Sequence, residues 1–312
     1  MSNDELIEWL LEGDVAIQYQ VYLDLLGQEK TVLRNRIAKQ GWGAAFLAQR
    51  HSNGHWGRGF YQPKWTSTHY ILLDLKNLAI PASNKAIQAS IKILLRDEMG
   101  GDGGINSSRS IANSDVCVNG MFLNYACYFG ADATELRSIV DFLLTEQMPD
   151  GGFNCYSNHK GAVHSSLHST LSVMEGILEY GRNGYRYRLK EPRVAWSESL
   201  EFILQHRLFR SKRTGKVIDK KMLLSWPSRW RFDVLHALDH FRDAEVKYDN
   251  RLDDGIEVLL KKRRKDGTWP LQGRHPGATH FEMEPAGHPS RWNTLRALRV
   301  LNHFRLDQNL PL

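Results

Sequence analysis

The 312-residue sequence is short of cysteine, proline and long apolar runs, and each shortage removes a class of protein. Three cysteines (Cys117, Cys127, Cys155) are too few, and odd in number, for a disulfide framework; they fit a reducing compartment. No run of about 18 apolar residues occurs, which excludes a transmembrane helix. The opening Met1-Ser2-Asn3-Asp4-Glu5-Leu6 has no basic segment leading into an apolar one, so a cytoplasmic location is expected rather than export. Strand signals are almost absent, with Tyr185-Arg186-Tyr187-Arg188-Leu189 the one tempting run. No linker rich in Gly, Pro or Ser divides the chain, so a single domain over 1–312 is expected. Neither a phosphate-cradling Gly-rich loop nor a Ser nucleophile motif is present. The net charge of +6 gathers in Lys/Arg runs at 207–221 and 261–265. These read as solvated helix ends and loops, so nucleic acid is not the expected partner.

What is present is a repeat. Helical stretches end in turns that read Asn53-Gly54-His55-Trp56, Asp102-Gly103-Gly104-Ile105, Asp150-Gly151-Gly152-Phe153 and Asp266-Gly267-Thr268-Trp269, with a degenerate copy at Thr214-Gly215-Lys216-Val217. Successive glycines lie 49, 48, 64 and 52 residues apart, close to the length of one helical hairpin with its loops. Glycine takes the left-handed conformation that ends a helix, Asp or Asn supports the turn, and the apolar residue that follows packs back on the hairpin. Such self-similarity marks stacked units that cannot bury their apolar faces alone.

Apolar periodicity predicts about twelve helices, near 3–12, 15–26, 31–50, 66–79, 83–98, 115–129, 132–147, 166–181, 194–208, 229–242, 250–264 and 290–305. Six hairpins suggest an all-α, closed (α/α)6 toroid with two concentric rings, alternate helices forming the inner one. The loop after each glycine turn then delivers the chain to one mouth. The residues there are polar or aromatic: Trp65 and His69; Asp115 and Cys117; His164 and His168; Arg229, Trp230, Arg231 and Asp233; Arg291, Trp292 and Asn293. Free N–H groups at helix starts and the positive dipole ends favour an anion in that funnel, and Arg229, Arg231 and Arg291 strengthen the case. The substrate-binding set expected is therefore His69, Arg229, Arg231, Asp233, Arg291 and Trp292. The plain alternative is that each polar residue caps a helix or bonds a loop carbonyl.

Asp115 and Cys117, followed by His164 and His168, are the sharpest constellation. Carboxylate, thiolate and imidazole make a three-ligand zinc set that leaves a fourth position open. Residues two apart do not share a helix face, so Asp115 must sit at the cap while Cys117 enters the first turn. A capping Asp, a small buried Cys and two satisfied histidines would explain the same letters.

The Gln-x-x-Asp-Gly-Gly-Phe turn at Gln147–Phe153 and the Asn-Gly-His-Trp turn at 53–56 resemble the repeats of the terpenoid cyclase and protein prenyltransferase superfamily. That superfamily includes squalene-hopene cyclases and the β subunits of farnesyl- and geranylgeranyltransferases. The likeness runs from about residue 40 to 305 at the level of the repeat and is specific for fold more than for activity. It implies zinc as the cofactor, with Asp115 and Cys117 matching the Asp-x-Cys that opens one inner helix of the prenyltransferases. His168 best matches the histidine that opens the next, with His164 as its substitute. It further implies an isoprenoid-like or other hydrophobic, anion-bearing substrate and a zinc-dependent transferase or cyclase-like enzyme. The departures matter too. The Asp-x-Asp-Asp acid of the cyclases is missing, and the partner α subunit of the prenyltransferases cannot be seen in one chain.

Two other readings stay open: a non-catalytic toroid that presents its funnel to a ligand or protein partner, and a carbohydrate-active α/α barrel using carboxylates such as Asp115 and Asp233. Two further clusters carry less. His275, His280, Glu282, Glu284 and His288 crowd one loop, where the alternating spacing fits an extended lid as readily as a metal site. Asp253-Asp254-Gly255-Ile256-Glu257 resembles an aspartate-rich magnesium motif of terpene synthases, but at the start of an outer helix it reads first as an acidic helical turn.

Overall fold

Why some helices are buried all round and others on one face only follows from their place in two layers. The computed structural model describes residues 1–108, 110–218 and 223–304, so the basic run at 207–221 and the end of the last expected helix lie partly outside them. The described helices are α1 (Asn3–Leu11), α2 (Val15–Asp24), α3 (Thr31–Arg36), α4 (Gly41–Ala48), α5 (Thr68–Asn77), α6 (Lys85–Asp97) and α7 (Val116–Tyr128). They continue with α8 (Arg137–Thr145), the short α9 (Ser157–Lys160), α10 (Leu167–Arg182), α11 (Lys190–Gln205), α12 (Val234–Asp243), α13 (Asp253–Lys261) and α14 (Arg291–His303). The only ladder among the described residues pairs β1 (Trp269–Pro270) antiparallel with β2 (Pro289–Ser290). The fold is all-α. Tyr185–Leu189 forms a turn rather than a strand. The helix expected over 31–50 breaks in two because Gly41 sits at φ +62° and the Asp14 carboxylate caps Trp42 N at 2.8 Å. No described helix is long and apolar enough to cross a membrane.

The helices α5, α7, α10, α12 and α14 are buried round most of their circumference, whereas α6, α8 and α13 bury one stripe. The first group forms a circuit with α2. Helix α2 packs on α14, α14 on α12, α10 on α7 and α7 on α5. His236 of α12 meets Glu175 of α10 at 2.7 Å, and Gln20 of α2 donates to Asn77 O at the end of α5. A second circuit runs outside it. The turn after each outer helix docks on the next outer helix: Asp14 accepts from Trp42 N of α4, Gly54 O accepts from Ser90 of α6, Gly103 lies against Ser138 of α8, and Gly151 O accepts from Ser199 of α11. Arg210 then pairs with Asp254 of α13, and Asp266 O accepts from the Met1 amine beside α1. The last unit thus returns to the first.

The four repeat glycines share one backbone state, at φ +89°, +87°, +91° and +91° for Gly54, Gly103, Gly151 and Gly267. Two residues on, the backbone N–H of Trp56, Ile105, Phe153 and Trp269 donates to Thr68, Asn119, Thr170 and Thr294 respectively. Each acceptor stands near the start of the following inner helix. The side chains of these four donors are fully buried, and the indole N–H groups of Trp56 and Trp269 close on Phe46 O and Leu259 O. Repetition in sequence is therefore repetition of a single interlock, with buried donors satisfied.

Helices α7 and α10 approach most closely, and glycine allows it. A Cβ at Gly120 would meet the backbone of Ser172 and Val173 at 2.7 Å, and one at Gly176 would strike Gly120 O. Gly176→Ala should therefore cost about 3 kcal/mol by overpacking, despite the roughly 1 kcal/mol that alanine contributes in an unhindered helix. Denaturant unfolding checks this, and a stabilised variant would refute the close packing.

Candidate functional site: the covered mouth of the inner helices

The starts of α5, α10 and α12 converge. Arg229, just before α12, is held at φ +60° and donates from Nη1 to Asp74 Oδ2 of α5 at 2.7 Å, both side chains being almost wholly buried. Its guanidinium lies over Trp65 and Tyr70, 5.3 and 5.9 Å from the ring centres. Tyr70 shares a hydrogen bond with Tyr61, and His69 shares one through Nδ1 with Tyr125. Burial pulls His69 down to about 3, so its imidazole is neutral, and its Nε2 has no partner. Burial also lifts Asp74 to about 6 against the pull of Arg229, and Oδ1 is unpartnered. Arg231 stacks on Trp230 at 4.7 Å, with its Nε buried and unpaired.

A strap seals this mouth. Trp65 donates its indole N–H to Pro276 O at 2.7 Å, Phe281 packs on Phe46 at 4.5 Å, and His280 reaches Thr66 O at 3.2 Å. His275 sits 6.1 Å from Trp65; burial first, then Arg231 and Arg229, hold it down to about 4. Glu284 ends the strap by accepting from Arg291 N and from Ser290, at the head of α14. The histidine-rich loop is thus a cover, one of the two readings its alternating spacing allowed. The space beneath is only about 40 Å³, lined by Trp65, Trp226, Arg229 and the strap.

Some expected site residues are engaged in other contacts. Arg291 clasps α1 instead, donating to Trp9 O at 2.8 Å and meeting Glu12 at 3.4 Å, while its backbone N–H donates to Glu284. Asp233 caps α12, accepting from His236 N, with Oδ2 left buried and unpartnered. Trp292 is walled between Trp42 and Trp226 by stacking at 6.2 and 4.6 Å. Asp253 and Asp254 open α13 as an acidic first turn.

The three residues expected to hold zinc are not gathered as a ligand set. Asp115 stands at the cap position of α7, accepts from Ser107, and lies 3.4 Å from His159 Nε2. The backbone N–H of Cys117 donates to the Cys155 sulfur at 3.0 Å, and the Cys117 thiol is raised first by Cys155 and then by burial. His168 accepts from Phe232 N through Nδ1 at 2.7 Å and meets Trp230 edge-on. His164 is exposed, with its carbonyl bonded to Asn154. No group of three His, Cys, Asp or Glu side chains able to hold a metal occurs among the described residues.

At the opposite end lies a feature that the sequence reading missed. A cavity of about 210 Å³ is lined by residues from α2, α5, α7, α10, α12 and α14. Its walls are charged: Lys76 pairs with Glu179 at 3.1 Å, Arg182 with Asp243 at 3.0 Å, and Arg299 with Asp24 and Asp239 at 2.6 and 2.5 Å. Burial alone would lower His236, but the Glu175 carboxylate raises it. His240 is pulled down to about 4 by burial and accepts from Trp196.

No known family profile matches the chain, and no curated protein does. Among solved structures it is similar to the type II terpene cyclase MstE from Scytonema, with a TM-score of 0.46 and 13% identity over 95% of this chain and 88% of that one. A point variant of that cyclase bound to its substrate, geranylgeranyl dihydroxybenzoate, gives 0.47 and 13% over 93% and 86%. A second substrate-bound variant gives 0.44 and 14% over 93% and 87%.

Proposed function

We propose that the two helical circuits form an (α/α)6 toroid whose covered mouth binds a hydrophobic, isoprenoid-like molecule by an anionic head group. One observation carries the reading: among the described residues the buried N–H donors Arg231 Nε, Trp230 Nε1 and Trp226 Nε1 have no partner, all three belong to the segment that carries Arg229, and Trp226 lines the space under the strap with it. Leaving such donors unpaired costs about 1–3 kcal/mol each, and an anion's oxygens would recover that cost. The aromatic rings behind them suit an apolar tail. Arg229 and Arg296 already cover the faces of Trp65 and Trp226, and the free volume is far below that of an isoprenoid, so the strap over 274–284 must lift to admit one. Asp74, lifted to about 6, is the group in the mouth best placed to give up a proton near neutral pH. The reading routes no step through zinc, because its expected ligands are not assembled.

Calorimetry with geranyl diphosphate, inorganic pyrophosphate and geraniol tests it. The diphosphate ester should bind, pyrophosphate more weakly, and geraniol not measurably. Arg231→Ala should weaken the ester by about tenfold or more, since a charge-assisted hydrogen bond contributes about 1.5–3 kcal/mol. Binding that ignores Arg231, or no binding at all, would end the proposal. The non-catalytic reading is favoured by the filled aromatic faces. It predicts unchanged substrate after prolonged incubation, whereas the enzymatic reading predicts a product that Asp74→Asn abolishes while binding persists.

A further inference from the structure

We propose that Cys117 and Cys155 are a dithiol modification site that a hydroperoxide closes into an intramolecular disulfide. The inference is independent of what occupies the mouth. Cys155 lies in the loop after the third glycine turn, and Cys117 in the first turn of α7. The Cys155 sulfur accepts from Cys117 N at 3.0 Å, which puts the Cys117 Cα within about 4.5 Å of that sulfur. Each thiol is also the first influence on the other's ionisation, raising Cys117 and lowering Cys155. Such proximity is what disulfide geometry demands. The loop is held in place by Cys155 N donating to Ser169 Oγ at 3.1 Å, and the same hydroxyl donates to the sulfur at 3.3 Å. Two donors therefore converge on the Cys155 sulfur and stabilise the negative charge that it carries during attack. Both residues are partly exposed, whereas Cys127 is buried within α7.

The chemistry closes without a cofactor. The Cys155 sulfur attacks the peroxide O–O bond and takes one oxygen as a sulfenic acid; the other oxygen leaves with a proton as water, or as an alcohol from an organic hydroperoxide. The Cys117 sulfur then displaces the sulfenic hydroxyl, which leaves with the Cys117 proton as water, and the S–S bond forms. Two thiols are oxidised by two electrons and one peroxide is reduced.

The full chain should be exposed to dilute hydrogen peroxide, unfolded, and assayed for free thiols. They should fall from three to one, with a mass loss of two hydrogens and a peptide pair joining 117 to 155 on non-reducing digestion. Cys127→Ser should still form the link, and Cys155→Ser should not. Should either variant fail to fold, the peptide map of the unsubstituted chain still decides the matter. Three retained thiols, oxidation of Cys155 to the sulfinic acid without a linked pair, or equally fast linkage in the unfolded chain would each overturn the proposal.

Discussion

Replacing Asp239 with asparagine is expected to cost about 3–5 kcal/mol of unfolding free energy, the range for removing one partner from a buried ionic cluster. Asparagine keeps the shape, so the loss reads charge. The Asp239 carboxylate accepts from Arg299 at 2.5 and 2.6 Å and from Arg296 and Arg242 at 3.2 Å each, and Arg299 also reaches Asp24 and Gln20. These bonds tie α2, α12 and α14 together, where the last inner helix meets the first. Burial pushes the carboxyl up, but Arg299, Arg242 and Arg296 outweigh it and hold Asp239 far below the ordinary carboxylate range. An acid depressed in the folded state contributes stability that is complete above its unfolded value, about 4, and is lost as pH falls below it. The gap between parent and Asp239→Asn should accordingly be constant from pH 6 to 8 and shrink at pH 3. Denaturant unfolding at pH 7 and pH 3 measures it, and an equal gap at both would mean that the carboxylate is not the source.

The repeat was legible because its physics is local. A glycine that must be left-handed, an Asx residue at the turn and an apolar anchor recur at one spacing, and each interlock spans only 12 to 25 positions. Most helix boundaries followed from the same periodicity, but Gly41 broke one helix, the starts expected at 132 and 229 lie at Arg137 and Val234, and the short α9 was not expected. The site was only half legible. Arg229, Arg231, Trp65 and His69 do meet at the mouth, since they open neighbouring inner helices. Arg291 and Asp233 share that position along their helices, yet one clasps α1 and the other serves as a cap. Sequence phase fixes which end of a helix a residue occupies, not the direction of a long side chain. The zinc trio fails to assemble for a related reason: matching letters leave open that Cys117 meets a thiol and His168 a backbone amide. The charged cavity was missed because its pairs are remote in sequence, 275 positions for Arg299 and Asp24. A signal existed all the same. Asp239 lies within the run Ala237-Leu238-Asp239-His240-Phe241 of α12, which is otherwise buried. A charge inside a wholly buried helix must find a partner across the axis.

Arg229→Met should destabilise the chain by about 3 kcal/mol or more at pH 8, and by much less at pH 5. Among the described residues Arg229 is the one charge bonded to Asp74, and both are buried among Trp65 and Tyr70. Burial raises Asp74 to about 6 even with the guanidinium in place, so methionine should carry it higher still. An acid raised in the folded state binds its proton more tightly there than in the unfolded chain. Stability then falls as pH rises from the unfolded value, about 4, through the folded one. In the parent this decline ends a little above pH 6; in the variant it continues towards neutrality and beyond, and the two curves separate. Near pH 5 both proteins hold Asp74 largely protonated, and a neutral carboxyl tolerates an apolar neighbour. The double variant Asp74→Asn, Arg229→Met has nothing left to titrate at this position and should recover much of the pH 8 loss. Unfolding measured from pH 5 to 8 on parent, single and double variants decides the point. A single-variant loss independent of pH would show that Arg229 acts by packing over Trp65 rather than by charge. A loss confined to high pH would establish that Asp74 keeps its proton in the mouth once the guanidinium is gone.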